Sequence, residues 1–233
     1  MVTLQVGDNT AMVAYVARPT GTGPFPGLIL FPEAFGLNHH IREVADRFAA
    51  EGYLVMAPEL FHRTAPVGYV CPYTEFPKCL PHLNAVNEAG LEHDTRAVWD
   101  WFHEQSQLRK GAVACIGYCV GGRAAFLANS VKPFQAAVSY YGGGIAQGLL
   151  KRAASQHGPL LMFWGGLDTH IQPEHVALVT QALRQAGMPF VNVEFSHADH
   201  GFFCNERATY QPQAAVESWE LTLAFLKDHL KAK

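Results

Sequence analysis

One short stretch constrains the possible fold of this chain more than any other. An apolar run over residues 112–116 leads into the pattern G-x-C-x-G-G at residues 117–122, and a run that favours a helix follows. A strand, a tight turn and a helix in this order form a nucleophile elbow. Glycines suit such a turn because a Cβ atom at Gly117 or Gly121 would clash with the neighbouring chain. We therefore expect Cys119 between the end of a buried strand and the N-terminus of a helix.

This position suits Cys119 to a nucleophilic role, because the dipole of the following helix favours a thiolate over a thiol. The same stretch has a plainer interpretation, in which a glycine-rich turn holds a small buried cysteine. Free cysteine is among the residue types most often buried. The motif alone leaves both interpretations open, and the remaining chain favours the first.

The composition is that of a globular protein, with 233 residues, 49% hydrophobic and 16% charged. We predict a single domain over residues 1–233, since this length suits one large α/β domain. The net charge of −3 and the lack of a basic stripe argue against nucleic-acid binding. We find neither a signal peptide nor an apolar run long enough to cross a membrane, so we predict a cytoplasmic protein.

The five cysteines are an odd number, and we predict that they are reduced thiols. Cys71 and Cys79 flank a proline-rich loop and could form a disulfide. In a reducing compartment, two free thiols are the favoured interpretation of this pair.

Strand and helix patterns alternate along the chain. We predict strands at residues 4–6, 11–17, 27–31, 53–57, 112–116, 136–141, 160–164 and 190–195, and helices at 41–51, 88–104, 123–130, 173–186 and 214–230. This alternation predicts an α/β fold with a mostly parallel central sheet and helices on both faces. Residues 58–84 contain five prolines and are predicted to be irregular, and a loop of this length is usually functional or mobile.

Three residues of catalytic type each follow the end of a predicted strand, namely Cys119, Asp168 and His200. In open α/β sheets, ligands bind at this carboxyl edge. The order along the chain, nucleophile then acid then histidine, is that of α/β-hydrolases. We therefore predict an α/β-hydrolase fold in which these three residues form a catalytic triad.

Each residue type suits one role in acyl transfer. The Cys119 thiolate attacks a carbonyl carbon, His200 accepts and donates protons, and Asp168 fixes the imidazole tautomer. An oxyanion hole also requires backbone donors. We expect these to be the N–H of Val120, at the start of the helix, and the N–H of Ala34, just after an earlier strand.

Taken singly, these residues also have structural interpretations. Asp168 could cap a turn, and a given histidine among the twelve is more often structural or solvated than catalytic. Histidines at residues 39–40 and 197–200 could suggest metal ligands. However, the pattern H-x-D-H lacks the i, i+4 helical spacing of a zinc site, so we predict no metal. The joint occurrence in the right order at strand ends favours catalysis.

Five segments carry a further pattern: PEAFGLN at residues 32–38, APELF at 57–61, GYCVGG at 117–122, GGLD at 165–168 and HGF at 200–202. Together they resemble the dienelactone hydrolase (carboxymethylenebutenolidase) family of α/β-hydrolases, from about residue 27 to the final helix. The resemblance implies hydrolysis of an enol-lactone such as dienelactone through an acyl-enzyme, with Cys119, His200 and Asp168 as the triad. It implies a small-molecule lactone or ester substrate and no cofactor.

The resemblance also implies a role for Glu33, whose counterpart in the family contacts the resting thiol and helps to deprotonate it when substrate binds. A carboxylate partly removed from water is a better proton acceptor, which makes this role physically sensible. From the sequence alone, Glu33 could equally be an ordinary surface acid. The hypothesis is that Glu33 primes Cys119.

Family members that act on dienelactone hold its carboxylate between two arginines. The position closely following the catalytic histidine is Cys204 here, so the nearby Arg207 is the candidate replacement. In the family, the second arginine comes from the region around residues 63–84, where Arg63 is the only arginine of this chain. Candidate apolar walls of the pocket are Phe35, Tyr69, Tyr141, Phe202 and Phe203, although core packing explains each aromatic equally well.

Two other functions stay open. A broad-specificity esterase or thioesterase on the same fold would turn over simple aryl esters without preferring an anionic lactone. A non-catalytic thiol-redox or ligand-binding protein would use Cys119 as a peroxide-sensitive thiol. A sensor thiol has no need of a general base with its own orienting acid, which argues against that function. The fold by itself cannot choose, because it hosts many functions.

Overall fold

The structure is a computed structural model that describes residues 1–231. Its strands are β1 (Val2–Gln5), β2 (Ala11–Ala17), β3 (Phe25–Phe31), β4 (Leu54–Pro58), β5 (Leu108–Tyr118), β6 (Ala137–Tyr140), β7 (Leu160–Gly165) and β8 (Phe190–Phe195). Its helices are α1 (His39–Ala50), α2 (Phe76–Ala85), α3 (Glu88–Glu104), α4 (Val120–Val131), α5 (Ile145–Gly148), α6 (Pro173–Gln185) and α7 (Pro212–His229), with 3₁₀ turns at Tyr73–Glu75 and Leu150–Ser155.

The eight strands form one sheet in the order β1-β2-β4-β3-β5-β6-β7-β8. β2 pairs antiparallel with both β1 and β4, and the other neighbouring strands are parallel. Helices pack against this sheet, with α1 on β4, α4 on β5 and β6, and α7 on β7. The predicted α/β-hydrolase fold with a mostly parallel sheet is therefore confirmed.

Burial of the central strands explains their continuous apolar sequences. Every residue of β4, β6 and β7 is buried, as are the last five residues of β3 and the last seven of β5. Strands covered on both faces have no solvent side, so their sequences do not alternate. The edge strand β8 has a single buried residue, Phe195.

The helix predictions depend on capping signals as well as on periodicity. The bounds of α3 match the predicted range, residues 88–104. Helix α1 begins two residues before its predicted start, and its cap is the predicted Asn38, whose side chain accepts a hydrogen bond from the Ile41 N–H at 3.1 Å. This bond satisfies one of the N–H groups that a helix start leaves unpaired.

The prediction that residues 58–84 are irregular is wrong for the second half of that segment. It contains the 3₁₀ turn at Tyr73–Glu75 and almost all of α2. Pro77 lies in the first turn of α2, where its missing N–H has no intrahelical acceptor to lose, and Pro81 lies inside the helix. Proline here marks the start of a helix. Helix α5 and the 3₁₀ turn at Leu150–Ser155 were also not predicted.

All five cysteines are free thiols, and Cys71 and Cys79 are buried together against Phe35. Within residues 1–231, no helix combines the length and the apolar character needed to cross a bilayer. The single-domain organisation, the cytoplasmic location and the lack of nucleic-acid binding stay predictions.

Candidate active site

Cys119 occupies a strained turn between β5 and α4. Its backbone angles, φ 57° and ψ −119°, lie in a region that residues other than glycine rarely adopt. A Cβ atom on Gly117 would lie 2.0 Å from the Gly121 carbonyl oxygen, and one on Gly121 would lie 2.2 Å from the Phe31 carbonyl oxygen. Both glycines are therefore required, as predicted, and the turn holds Cys119 at the N-terminus of α4.

His200 and Asp168 form a short hydrogen bond at the carboxyl edge of the sheet. Nδ1 of His200 lies 2.7 Å from Oδ2 of Asp168. The other oxygen of Asp168 accepts bonds from the His170 N–H at 2.7 Å and the Ile171 N–H at 3.1 Å. Burial raises the pKa of Asp168, but His200 and these two N–H groups outweigh burial and leave it below its ordinary value. Asp168 is thus an ionised carboxylate that fixes the imidazole.

Cys119 and His200 both line the candidate active-site cavity. Burial lowers the pKa of His200, but the charge of Cys119 and the hydrogen bond to Asp168 outweigh burial and raise it to about 10. A histidine oriented by a buried acid and placed near a cysteine on a helix N-terminus suits the two residues to act as base and nucleophile. The structure therefore brings the three residues predicted to form a triad together.

The two backbone donors proposed for an oxyanion hole lie beside this turn. The elbow packs on the end of β3, since a Cβ on Gly121 would also lie within 2.6 Å of the Pro32 carbonyl oxygen. Within residues 1–231, neither the Ala34 N–H nor the Val120 N–H donates a hydrogen bond. Both N–H groups are therefore free to donate, and an oxyanion hole requires unpaired backbone donors.

Glu33 is buried, with 1% of its surface exposed, so it is not an ordinary surface acid. Its Oε1 accepts hydrogen bonds from Nη1 of Arg207 at 3.1 Å and from the Tyr141 hydroxyl at 3.4 Å. Its Oε2 is buried and has no hydrogen-bond partner among the described residues. Arg207 also interacts electrostatically with Cys119, which links Glu33 to the thiol through a shared cation.

A cavity of about 510 Å³ opens over these groups. Its volume is in the range of pockets for small molecules. Its lining residues come from the elbow, the β3 and β6 loops, the Asp168 and His200 loops and the segment that includes α2: Phe35, Tyr73, Phe76, Leu83, Asn84, Val86, Cys119, Val120, Arg123, Gly143, Gly144, His170, His200 and Arg207. Of the predicted substrate-binding residues, the cavity therefore includes Phe35 and Arg207.

The other aromatic residues that were predicted as apolar walls do not line the cavity. Tyr141 is fully buried, and its ring centroid lies 5.1 Å from that of His200, so the tyrosine packs against the imidazole. Phe202 is also fully buried and packs edge-on against Tyr141 at 5.3 Å. Phe202 therefore belongs to the core, which was the alternative interpretation of these aromatics. Tyr69 and Phe203 do not line the cavity either.

Arg63 does not line the cavity of the candidate site. Its Nε is 2.6 Å from Oδ2 of Asp8, and its Nη2 is 2.8 Å from Oδ1 of the fully buried Asp94. A buried carboxylate requires a cation beside it, and Arg63 fills that structural role. The prediction that Arg63 binds substrate is corrected here, because its guanidinium is paired with these two carboxylates.

Sequence reasoning missed Arg123, His170 and the contribution of α2 to the cavity. Arg123 lies four residues after Cys119 in the helix, so i, i+4 spacing could have found it. The contribution of α2 had no comparable signal, because the helix itself was not predicted. The residues Leu83 and Asn84 reach the cavity only through the tertiary fold.

Within residues 1–231, no three side chains of His, Cys, Asp or Glu come together in a group that could hold a metal ion. The two neighbouring histidines near the start of α1 have other partners. Nδ1 of His39 lies 2.6 Å from Glu206, and Nδ1 of His40 lies 3.2 Å from the Asn205 side-chain oxygen.

Known proteins resemble this chain over nearly its whole length. Residues 12–230 match the family model described as the dienelactone hydrolase family. A protein of Azospirillum brasilense, named as a candidate carboxymethylenebutenolidase, is 33% identical over 98% of this chain and 98% of its own length. A Synechocystis protein with the same name is 31% identical over 96% and 94%. The crystal structure of a candidate dienelactone hydrolase from Klebsiella pneumoniae superposes with a TM-score of 0.86, 30% identity and 97% coverage of both chains.

Proposed function

This chain belongs to the dienelactone hydrolase family of ester and lactone hydrolases, and we propose that it hydrolyses an enol-lactone such as dienelactone through a Cys119–His200–Asp168 triad. The observation that carries the proposal is the 2.7 Å hydrogen bond between His200 and Asp168 in a cavity that Cys119 also lines. A histidine oriented by a buried acid beside a cysteine on an elbow is the arrangement that acyl transfer requires.

In the first half-reaction, the Cys119 thiolate attacks the lactone carbonyl carbon, and the carbonyl oxygen takes up the negative charge. The N–H groups of Ala34 and Val120 stabilise this oxyanion. When the intermediate collapses, the bond between the carbonyl carbon and the ring oxygen breaks, and the protonated His200 gives its proton to the departing enolate oxygen. The result is a thioester on Cys119 with the opened ring still attached.

Acylation prepares His200 for the second half-reaction. Against the effect of burial, the charge of Cys119 is the largest influence that raises the His200 pKa to about 10. A thioester is neutral, so this pKa falls when Cys119 is acylated. His200 can then take a proton from water while the water oxygen attacks the thioester carbon. The carbon–sulfur bond breaks, the acid product leaves, and the thiolate–imidazolium pair returns.

Glu33 is proposed to prime Cys119 when substrate binds. Its Oε2 supports this role, because it is buried and has no hydrogen-bond partner among the described residues, which leaves its lone pairs unoccupied. The test compares the alkylation rate of Cys119 in the wild type and in Glu33→Gln, with and without a bound substrate analogue. We expect the analogue to accelerate alkylation in the wild type and not in the variant. Unchanged rates in Glu33→Gln would contradict the role.

The experiment that tests the proposal is hydrolysis of carboxylated dienelactone and of p-nitrophenyl acetate by the wild type and by Cys119→Ala. We expect Cys119→Ala to abolish turnover of both substrates. Cys204→Ala is the matched control, since it removes a buried thiol that does not line the cavity. Turnover that survives in Cys119→Ala would overturn the triad.

The same experiment separates the two alternative functions. Slow turnover of dienelactone together with Cys119-dependent hydrolysis of the aryl ester would indicate a broad-specificity esterase or thioesterase. The lack of an acyl-enzyme burst with either substrate would favour the non-catalytic thiol-redox or ligand-binding protein, and peroxide reactivity of Cys119 would then be measured.

A further inference from the structure

A second, smaller space adjoins the candidate active-site cavity. Its volume is about 190 Å³, and it shares the lining residues Val86, Arg123 and Gly144 with the cavity. Its other walls come from the start of α3, from α4 and from the end of α5 with the residue after it: Asn87, Glu88, Leu91, Leu127, Gly148 and Leu149. We call this space the side chamber.

The inner walls of the side chamber are apolar. Leu91, Leu127 and Leu149 are all buried, with at most 3% of their surface exposed. They belong to α3, to α4 and to the residue after α5, so leucine side chains wall the space from three different segments. Transfer of an apolar group from water into such surroundings is favourable. The walls therefore favour an apolar occupant.

The polar side chains at the outer end of the side chamber are already paired. The Asn87 side chain caps α3 by accepting a hydrogen bond from the Gly90 N–H at 3.0 Å. Glu88 lies 3.1 Å from both Lys151 and Arg152. These groups have their hydrogen bonds within the protein, so they offer a polar ligand little to replace the water that it would lose.

The side chamber continues from Cys119 along α4. Arg123 and Leu127 follow the thiol by four and eight residues, so they lie on nearly the same side of the helix, and Leu127 is about 12 Å further along its axis. At the boundary, Cδ of Arg123 is 3.0 Å from the position of a Cβ atom on Gly144. The methylene stem of the arginine therefore forms part of this boundary, and such stems pack against apolar groups.

The side chamber lies away from the catalytic histidine. None of its lining residues comes from the loops that carry Asp168 and His200. To protonate the leaving oxygen, His200 has to lie beside the leaving group. The acyl part of the substrate then extends from the carbonyl carbon in the other direction, along α4 and towards the side chamber.

We propose that the side chamber binds the far end of a linear apolar acyl chain, so that the enzyme prefers esters or lactones of medium-chain acids. This inference rests on the proposed hydrolase function of the adjoining cavity. A space of about 190 Å³ holds about six groups of the size of a water molecule, at ~30 Å³ each, and a methylene group is about that size. A chain of about eight carbons fills it after crossing the cavity.

The first test compares p-nitrophenyl butyrate with p-nitrophenyl octanoate, which have the same leaving group and differ only in the acyl chain. In the wild type we expect kcat/KM to be about 10- to 100-fold higher for the octanoate. Full burial of a methylene group corresponds to a factor of about four, and the open outer end of the side chamber reduces it. A wild type that does not favour the octanoate would overturn the proposal without any variant.

Gly148→Phe tests whether this preference arises in the side chamber. Gly148 is exposed, its φ is not in the left-handed region, and a Cβ atom there would meet no atom within 4 Å. The backbone therefore accepts a side chain, and the ring occupies the outer end. We expect the octanoate-to-butyrate ratio of kcat/KM to fall about fivefold or more, since the ring excludes one or two methylene groups.

Ala154→Phe is the matched control for Gly148→Phe. It adds the same ring to an exposed residue of the 3₁₀ turn at Leu150–Ser155 that lines neither space. We expect it to leave the ratio unchanged. The same ratio in Gly148→Phe and in the wild type would overturn the proposal, because the preference would then arise outside the side chamber.

The second test does not depend on ester hydrolysis. Methyl and octyl methanethiosulfonate modify thiols: the thiolate attacks the sulfur that carries the alkyl group, a mixed disulfide forms, and methanesulfinate leaves. Cys119 is partly exposed, whereas the other four cysteines are buried. We expect the octyl reagent to modify Cys119 several-fold faster than the methyl reagent in the wild type and in Ala154→Phe, and this preference to be lost in Gly148→Phe.

Together the two tests separate the side chamber from the proposed function. If no ester is turned over but Cys119 prefers the octyl reagent and loses that preference in Gly148→Phe, the hydrolase function fails and the side chamber stands. If both esters are hydrolysed through Cys119 but chain length affects neither turnover nor thiol modification, the hydrolase function stands and the side chamber is overturned.

Discussion

Two buried histidine–aspartate pairs in this molecule are alike as pairs and differ in their surroundings. Nδ1 of His200 lies 2.7 Å from Oδ2 of Asp168, and Nε2 of His62 lies 3.0 Å from Oδ1 of Asp94. In both pairs the carboxylate side chain is almost completely buried and the histidine is largely shielded from water. Each has the geometry that fixes an imidazole tautomer.

The surroundings give the two pairs different capabilities. Asp94 also binds Arg63 at 2.8 Å, and the space beside it is about 10 Å³, which is at most the room for one water molecule. His200 instead faces Cys119 and a cavity of about 510 Å³. The hydrogen bond between a histidine and an aspartate therefore does not by itself indicate catalysis. The His200 pair is a candidate for catalysis because a nucleophile and a space for substrate lie beside it.

The largest expected difference is in activity after loss of each histidine. His200→Ala should lower kcat/KM for p-nitrophenyl acetate about 10³-fold or more, since general acid–base catalysis contributes about 10²–10⁴-fold and the nucleophile also loses its partner. His62→Ala should leave kcat/KM within about threefold and lower the melting temperature. Steady-state kinetics and thermal unfolding of both variants measure the two effects. Comparable activity losses would break the distinction between the pairs.

Replacement of the aspartate should reduce the stability of the protein more in the His62–Asp94 pair than in the His200–Asp168 pair. Asp94→Asn should lower the free energy of unfolding by about 2–3 kcal/mol, because it leaves Arg63 without its buried carboxylate, with a discount for the exposed part of Arg63. Asp168→Asn should cost less than about 1 kcal/mol but lower kcat by about 10³–10⁴-fold. Urea denaturation and kinetics are the measurements, and a larger stability loss in Asp168→Asn would contradict the assignment.

The protonation of His200 sharpens the comparison further. In the wild type, nitrogen NMR should show an imidazolium at pH 7.5 that titrates near pH 10, because the charge of Cys119 and the bond to Asp168 overcome the effect of burial. In Cys119→Ala the apparent pKa of His200 should fall, since the alanine side chain cannot carry a negative charge. An unchanged His200 pKa in Cys119→Ala would remove the basis for the proposed deacylation step.

The smallest effect concerns acid stability. The pKa of Asp168 is lowered in the folded state, so its ionised form stabilises the fold above its ordinary value of 3.8, and this contribution is lost as the pH falls through the folded value. The difference in unfolding free energy between the wild type and Asp168→Asn should therefore shrink below about pH 3.8. Denaturation at pH 6, 4 and 3 measures it. A difference that grows on acidification would contradict the sign of this shift.

Much of the fold was predictable because its signals are local. The apolar runs of β3 to β7 follow from burial on both faces, and Asn38 and Gly117 are required by a cap and a tight turn that span a few residues. The prediction failed where a local signal had two meanings. Proline ends many helices and also begins them, so residues 76–84 were predicted to be irregular, whereas they form nearly all of α2.

The sequence by itself determined the elbow, the order of Cys119, Asp168 and His200, and their places at strand ends, because parallel strands bring their carboxyl ends to one edge. Only the tertiary structure decided how the charges pair. It joined Arg207 to Glu33 and Arg63 to Asp94, and among residues 1–231 it left Arg123 without a carboxylate partner. Ion pairs form between side chains that are distant in sequence, and their partners depend on how the segments pack. No local pattern could therefore have assigned them.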